Sequence, residues 1–259
     1  MNSIEKNLHE LNKLQNLQQR SHWMNELHPV GKLLLGVIYI LTVVSFGKYE
    51  LIPLIILFIF PVFGFIVGEL SLKEGLYRMR LILPLILFVG ILNPFFDRDI
   101  VLRVGSLSVS GGVISMITLM LKGFLTVLSA YILIATTSID DICYAMRCLH
   151  IPKIIVIVIM LIYRYFGVMA EEANRITTAY KLRAPSQNGI NYKAWGTLVG
   201  QWLLRSMDRA NIVYESMLLR GFNGEFKSAK RKIRAIDVVY PAAWCVFFLL
   251  IQSGLLYRL

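Results

Sequence analysis

Ile154-Ile-Val-Ile-Val-Ile-Met-Leu-Ile-Tyr-Arg-Tyr-Phe-Gly-Val168 is an apolar run that approaches the length of a bilayer span. Counting it as a crossing puts the basic stretch from Ala170 to Asp237 on the opposite side of a membrane from Ser138 to Lys153. Lys and Arg accumulate in cytoplasmic segments, so charge decides between the two topologies. With the N-terminus cytoplasmic and the run not crossing, the inside holds Lys6, Lys13, Arg20, Lys73, Arg78, Arg80 and every cation from Arg147 to Arg234. Only Lys48, Arg98, Arg103 and Arg258 are then outside. With the run crossing, either the twelve Lys and Arg residues from Arg175 to Arg234 or the leader and the Lys73 to Arg80 loop fall on the wrong side. Pro152 to Arg183 is therefore read as one long helix at the cytoplasmic face. Pro152 opens it, since proline is tolerated in a first turn, and its apolar half is laid against the chain's own spans.

The rest of the chain fixes the class. Of 259 residues 56% are hydrophobic, and mean hydropathy is +0.62, well beyond a soluble domain. Spans are expected at Val30 to Phe46, Leu51 to Gly68, Leu81 to Phe96, Val113 to Thr136 and Val238 to Tyr257. Pro53, Pro61, Pro84 and Pro94 fall inside these runs and are read as kinks rather than ends. The predicted fold is an all-α polytopic membrane protein of about five transmembrane helices, with a cytoplasmic helical domain inserted before the last. Its parts are an amphipathic cytoplasmic leader at 1–29, a four-span membrane core at 30–137, the cytoplasmic domain at 138–237 and a last transmembrane helix at 238–259. In the leader, Ile4, Leu8, Leu11, Leu14 and Leu17 recur at helical spacing, and no apolar run precedes the first span, which is expected to direct its own insertion. The net charge of +11 lies mainly outside the spans, a pattern that fits membrane flanks better than nucleic acid. Three cysteines without ligand spacing, and His9, His22, His28 and His150 without acidic or thiol neighbours at metal spacing, indicate neither a disulfide framework nor a metal site.

Two short sequences in the basic stretch echo each other: Ala179-Tyr-Lys-Leu-Arg183-Ala184 and Glu215-Ser-Met217-Leu-Leu-Arg220-Gly221. Ala184 precedes Pro185 and is biased out of helical geometry, which makes Arg183 a terminal helical residue. Gly221 suits the left-handed position just beyond a helix, which puts Arg220 in the corresponding place. One such arginine is accounted for by the helix dipole; two in one insertion suggest a pair of guanidiniums presented to carboxylates of another protein. In the second helix Leu203, Met207, Ala210, Tyr214 and Met217 form an apolar stripe for the first helix or the membrane face. Asp140 and Asp141 follow Ser138 at a helix start, where they complement the dipole. Lys122 stands inside the fourth span, roughly 13 Å deep at 1.5 Å per residue, where contact with a partner subunit or a lipid is one reading and snorkelling another.

At Thr136-Thr-Ser-Ile-Asp-Asp-Ile-Cys-Tyr-Ala-Met-Arg-Cys-Leu-His-Ile-Pro152, at Tyr163-Arg-Tyr-Phe-Gly-Val-Met-Ala-Glu-Glu-Ala-Asn-Arg175 and at Arg205-Ser-Met-Asp-Arg-Ala-Asn-Ile-Val-Tyr-Glu-Ser-Met-Leu-Leu-Arg-Gly-Phe-Asn-Gly224, the chain resembles the T component of energy-coupling factor transporters, most of all the CbiQ branch. The likeness begins at Leu27-His-Pro-Val-Gly-Lys32 and runs nearly to the end, with the coupling segment as its distinctive part. It implies a permease-like subunit in a prokaryotic cell (inner) membrane, joining two ABC ATPase subunits to a substrate-binding integral membrane subunit, for cobalt or nickel and alternatively for a vitamin. The family's two Ala-Arg-Gly signatures fall on Leu182-Arg183-Ala184 and Leu219-Arg220-Gly221, which keep the arginines, lack both alanines and keep only the second glycine. The resemblance implies no catalytic residue, no metal and no cofactor in this chain, ATP being bound by the ATPases; the chain has no G-x-x-x-x-G-K-[ST] loop. Its partners are then those subunits and the lipid bilayer, and no nucleic acid. Two other classes stay open on the residues alone. A membrane-embedded enzyme would use Asp140, Asp141, Glu171 or Glu172, and a lone channel or carrier would need polar groups at the midplane, where only Lys122 and Asn93 stand out.

Overall fold

The computed structural model describes residues 18, 23–71, 73, 75, 77, 80, 83–84, 86–91, 100–104, 107–185, 187, 189–224, 226 and 234–254. The chain divides into two compact units, one made by Ile139–Lys230 and the other by Leu17–Ser138 with Arg231–Leu259. It is an all-α polytopic membrane protein, with one small β-hairpin that the sequence reading did not include. Gly111–Thr136, Lys153–Arg183 and Ala235–Gln252 are each long and apolar enough to cross a membrane, and Pro29–Ser45 and Leu51–Val67 are shorter apolar helices.

In the second of these units the elements are α1 (Pro29–Ser45), α2 (Leu51–Leu57), α3 (Ile59–Val67), β1 (Ile100–Val104), β2 (Leu107–Ser110), α4 (Gly111–Thr136) and α8 (Ala235–Gln252). Pro29 occupies the first turn of α1, where its missing N–H costs nothing. Leu35, Tyr39, Val43 and Phe46 recur at four and three and are buried with Leu54, Leu57, Phe60, Leu125, Phe248 and Ile251 in one core. Tyr39 is its centre, 4.5 Å from the Phe60 ring and 5.4 Å from Phe248. Leu41, Val44, Ile52, Ile55 and Ile66 face outward and exposed, as lipid-facing side chains do. The expected span Leu51 to Gly68 is broken at Phe58 into α2 and α3. The cause is Pro61, which has no N–H for the carbonyl of Leu57 four residues earlier. That carbonyl is satisfied instead by the Tyr39 hydroxyl, which donates to it at 3.1 Å.

In the expected third span, residues 83–84 and 86–91 are helical; the remainder of Leu81 to Phe96, with Pro94, lies outside the described residues. β1 and β2 pair antiparallel, with Val104 opposite Leu107, Arg103 opposite Ser108 and Leu102 opposite Val109. The last expected span begins three residues earlier, at Ala235, and α8 ends at Gln252 rather than Tyr257. Pro241 within α8 frees the carbonyl of Asp237, and α1 packs closely there: a Cβ on Gly31 would stand 3.0 Å from Pro241 Cγ and 3.1 Å from the Asp237 carbonyl oxygen. Of the leader at 1–29, residues 1–17 and 19–22 lie outside the described residues, and Trp23–Glu26 forms a single helical turn.

In the Ile139–Lys230 unit, α5 (Ile139–Cys148), α6 (Lys153–Arg183) and α7 (Tyr192–Leu219) follow one another. α5 carries Asp140 and Asp141 in its first turn and Arg147 in its last, matching the helix dipole at both ends. It stops at His150, whose φ of 61° is left-handed. Pro152 is the residue before α6 rather than its first helical residue. α6 is continuous for 31 residues, as the sequence indicates; within it Val156 is buried, and Ile154, Ile155, Val158, Ile162 and Phe166 are exposed.

Candidate functional site

α6 and α7 pack against each other. Trp202 Nε1 donates to the Met169 carbonyl at 3.1 Å, Arg205 pairs with Glu172, and Glu172 also faces Arg175 at 3.8 Å. The connection between the helices is held by Tyr180, whose hydroxyl donates to Gln187 Oε1 at 2.7 Å and accepts from the Asn191 N–H at 3.2 Å. Asn191 then caps α7, its side chain accepting from the Lys193 N–H at 3.1 Å. The apolar stripe read along α7 is not a buried seam. Leu203, Met207 and Tyr214 are more than half exposed, and α7 contains no buried residue.

The two arginine-bearing ends are built differently. Arg183 is the last residue of α6, and Ala184 follows at φ −130°, ψ 64°, outside helical geometry as its neighbour Pro185 requires. The Ala184 N–H returns to the Tyr180 carbonyl at 3.1 Å. Arg220 lies one position beyond the last residue of α7, as its cap. Gly221 takes φ 74°, its N–H reaching the Leu218 carbonyl at 2.9 Å, and the Phe222 N–H reaches the Met217 carbonyl at 2.9 Å. This pair of bonds is a Schellman motif, with Met217 and Phe222 as the residues whose apolar contact accompanies it. Both arginines are exposed, and each follows an exposed leucine, Leu182 at 77% and Leu219 at 90%.

The structure gathers the six coupling residues into two groups rather than one. Ala179, Arg183 and Ala184 stand at the connection end of the pair, and Met217, Arg220 and Gly221 at the other. Eighteen residues of α6, about 27 Å at 1.5 Å each, separate Tyr165, beside the Arg220 end, from Arg183. At the Arg220 end a groove of about 700 Å³ opens between the helices, and Arg164 and Arg209 line it with Arg220. α5 braces the loop beyond it: Arg147 Nη1 donates to the Phe226 carbonyl at 2.6 Å, and the Phe226 ring lies 5.0 Å from Phe222. The polar face of α7 marks Arg209 in the sequence, but nothing local groups it with Arg164 or marks Arg147 as a brace. Arg147 is 79 positions from its acceptor, and no local pattern signals such a pair.

Among the described residues carboxylates do not converge. Glu172 is committed to Arg205 and Arg175, Asp140 and Asp141 stay in the first turn of α5, and no group of three metal-binding side chains occurs among the described residues. Cys143 is buried, and burial first and Asp140 second push its thiol above the usual range.

Lys122 has partners within the chain. Its ammonium donates to the carbonyls of Phe46 and, at 3.3 Å, Val44, at the C-terminal end of α1. A cation there complements the helix dipole. Lys32, buried near the start of α1, makes the mirror-image contact: it donates to the carbonyl of Thr136, the last residue of α4, at 2.8 Å and to that of Asn25 at 3.1 Å. Asp237 ties the starts of α1 and α8 together, accepting from the His28 N–H and the Arg234 N–H at 2.8 Å each, while Arg234 pairs with Glu26 at 3.1 Å.

Residues 20–231 match the family model described as CbiQ, cobalt transport protein. An uncharacterized protein of Methanocaldococcus jannaschii is 25% identical over 186 residues, which cover 67% of this chain and 63% of that protein. A second uncharacterized protein of the same organism is 30% identical over 93 residues, 36% of this chain and 35% of that one. Nickel permease LarQ of Lactiplantibacillus plantarum is 26% identical over 117 residues, 43% of each chain. The chain thus spans less than two thirds of the length of each of these relatives.

Proposed function

Because the chain belongs to the CbiQ family of cobalt transport proteins, a membrane transport role is its premise, and we propose that it serves as the coupling subunit of an energy-coupling factor importer for cobalt or nickel. In this reading the Ile139–Lys230 unit is cytoplasmic, and two ABC ATPases engage it, one at Arg183 and one at Arg220. ATP is bound by those ATPases and the metal ion by a separate substrate-binding membrane subunit. The observation that carries the reading is the α6–α7 pair with an exposed Leu-Arg at each of two opposite ends. Two guanidiniums so far apart address two separate carboxylate-bearing surfaces rather than one, and each suits bidentate pairing. The unit's charge points the same way, with twelve Lys and Arg against seven Asp and Glu between residues 139 and 230.

In this mechanism ATP-driven approach of the two ATPases shifts the ends of α6 and α7, and the helices carry that displacement to the membrane unit as rigid rods of about 46 and 42 Å. The test is charge reversal. Arg183→Glu and Arg220→Glu singly lower metal uptake, and together they abolish uptake and ATPase co-purification while membrane insertion is kept. Wild-type uptake with ATPases still bound in the double variant would falsify the assignment.

A further inference from the structure

The groove beside Arg220 has a charge that the coupling reading leaves unused. Arg164 and Arg209 line it beside Arg220, none of the described lining residues is acidic, and Glu172 on the same helix pair is already held by Arg205 and Arg175. Like charges sharing one groove favour an anion seated among them. The walls say which kind of anion. Leu161, Tyr165, Ile212, Val213 and Phe222 give them an apolar side beside the arginines, so a fitting ligand has a hydrophobic part as well as a charge.

The wall continues outward in one direction. At 3.6 residues per turn Leu161 and Tyr165 lie between Arg164 on one flank and Val158, Ile162 and Phe166 on the other. Those three are 48%, 61% and 54% exposed. A broad apolar arc edged by arginine is the pattern of a helix face that meets lipid, with headgroups at the polar edge. We propose that the groove binds one anionic phospholipid, its phosphate held by Arg164 and Arg209 and an acyl chain lying over Leu161, Tyr165 and the Val158–Ile162–Phe166 arc. A free phosphate or nucleotide would use the arginines and leave the apolar wall without a partner. The proposal is independent of the ATPase assignment, since the variants that test it leave Arg183 and Arg220 in place.

The experiment uses the full chain in nanodiscs of phosphatidylcholine with a minor fraction of phosphatidylglycerol, followed by extraction and mass measurement of retained lipid. Wild type retains phosphatidylglycerol in preference to phosphatidylcholine. At about fivefold or less per arginine near an anionic headgroup, R164Q/R209Q lowers that preference by roughly 10- to 30-fold. R175Q removes an arginine that is 75% exposed and does not line the groove, and it keeps the preference. Inorganic phosphate at millimolar concentration leaves the lipid bound. No preference in wild type, an unchanged preference in R164Q/R209Q, an equal loss in R175Q, or displacement by inorganic phosphate alone would each overturn the proposal.

Discussion

Replacing Gly221 with alanine tests how the Arg220 end is built. Gly221 sits at φ 74°, in the left-handed region, and its N–H and that of Phe222 close the last turn of α7 on Leu218 and Met217. A Cβ added there meets nothing within 4 Å, so the cost of Gly221→Ala is conformational rather than steric. That cost is about 1–2 kcal/mol for an L-residue held in left-handed geometry. It raises the opening equilibrium of the turn by roughly 5- to 30-fold. Hydrogen exchange of the 218–222 amides reads this directly. Gly167 supplies the opposite sign: it lies inside α6, a Cβ there also meets nothing within 4 Å, and alanine in a helix interior is favoured over glycine by about 1 kcal/mol. Gly167→Ala should therefore slow exchange around it while Gly221→Ala speeds it at the α7 end. Equal exchange at 218–222 in wild type and Gly221→Ala would refute the Schellman assignment, and with it the account of how Arg220 is presented.

Three further outcomes follow from contacts described above. Lys32→Met strands the carbonyls of Thr136 and Asn25 in a buried site and lowers stability by about 2 kcal/mol, with Lys122→Met costing less because its site is more open; thermal denaturation in detergent ranks them, and the reverse order would contradict the burial argument. In single-cysteine backgrounds exposed Cys148 reacts with maleimide at neutral pH. Cys143, buried and with its thiol pushed upward, stays mostly protonated until the pH exceeds the ordinary thiol range, so it lags at pH 7 and at pH 8.5, and equal rates would refute its burial. Arg147→Ala frees the Phe226 carbonyl and increases exchange across residues 222–226 without altering the 139–145 amides; protection unchanged at 222–226 would show that the brace is not needed.

Legibility in the sequence followed the range of each interaction. The end of α6 at Arg183 and the left-handed glycine after α7 were readable because Pro185 and Gly221 constrain their own neighbourhoods. The continuity of α6 was readable from one uninterrupted apolar-to-amphipathic pattern. The break at Phe58 was half visible, since Pro61 marks a strained turn, yet only the fold shows Tyr39 reaching the freed carbonyl. The β-hairpin was missed although strands flank Gly105-Ser106, a two-residue turn signal that could have found it. The grouping of Arg164 with Arg209, and of each lysine with the far helix end, depends on helix packing that no local period encodes. The two arginine ends echo in their letters and are built as their neighbours dictate, a proline-imposed exit after Arg183 and a glycine-made cap at Arg220.

The paired lysines carry a consequence for movement. Lys32 and Phe46 are fourteen residues apart on α1, and Lys122 and Thr136 are fourteen apart on α4, so two antiparallel rods are pinned at both ends over about 21 Å. Sliding one rod by a helical turn, about 5.4 Å, would pull both ammonium groups off their carbonyls at once. The pair therefore resists piston motion in either direction and travels as a single plate. A transport cycle that moves this unit must tilt or rotate that plate, and the give has to come from the segments that lead into and out of it.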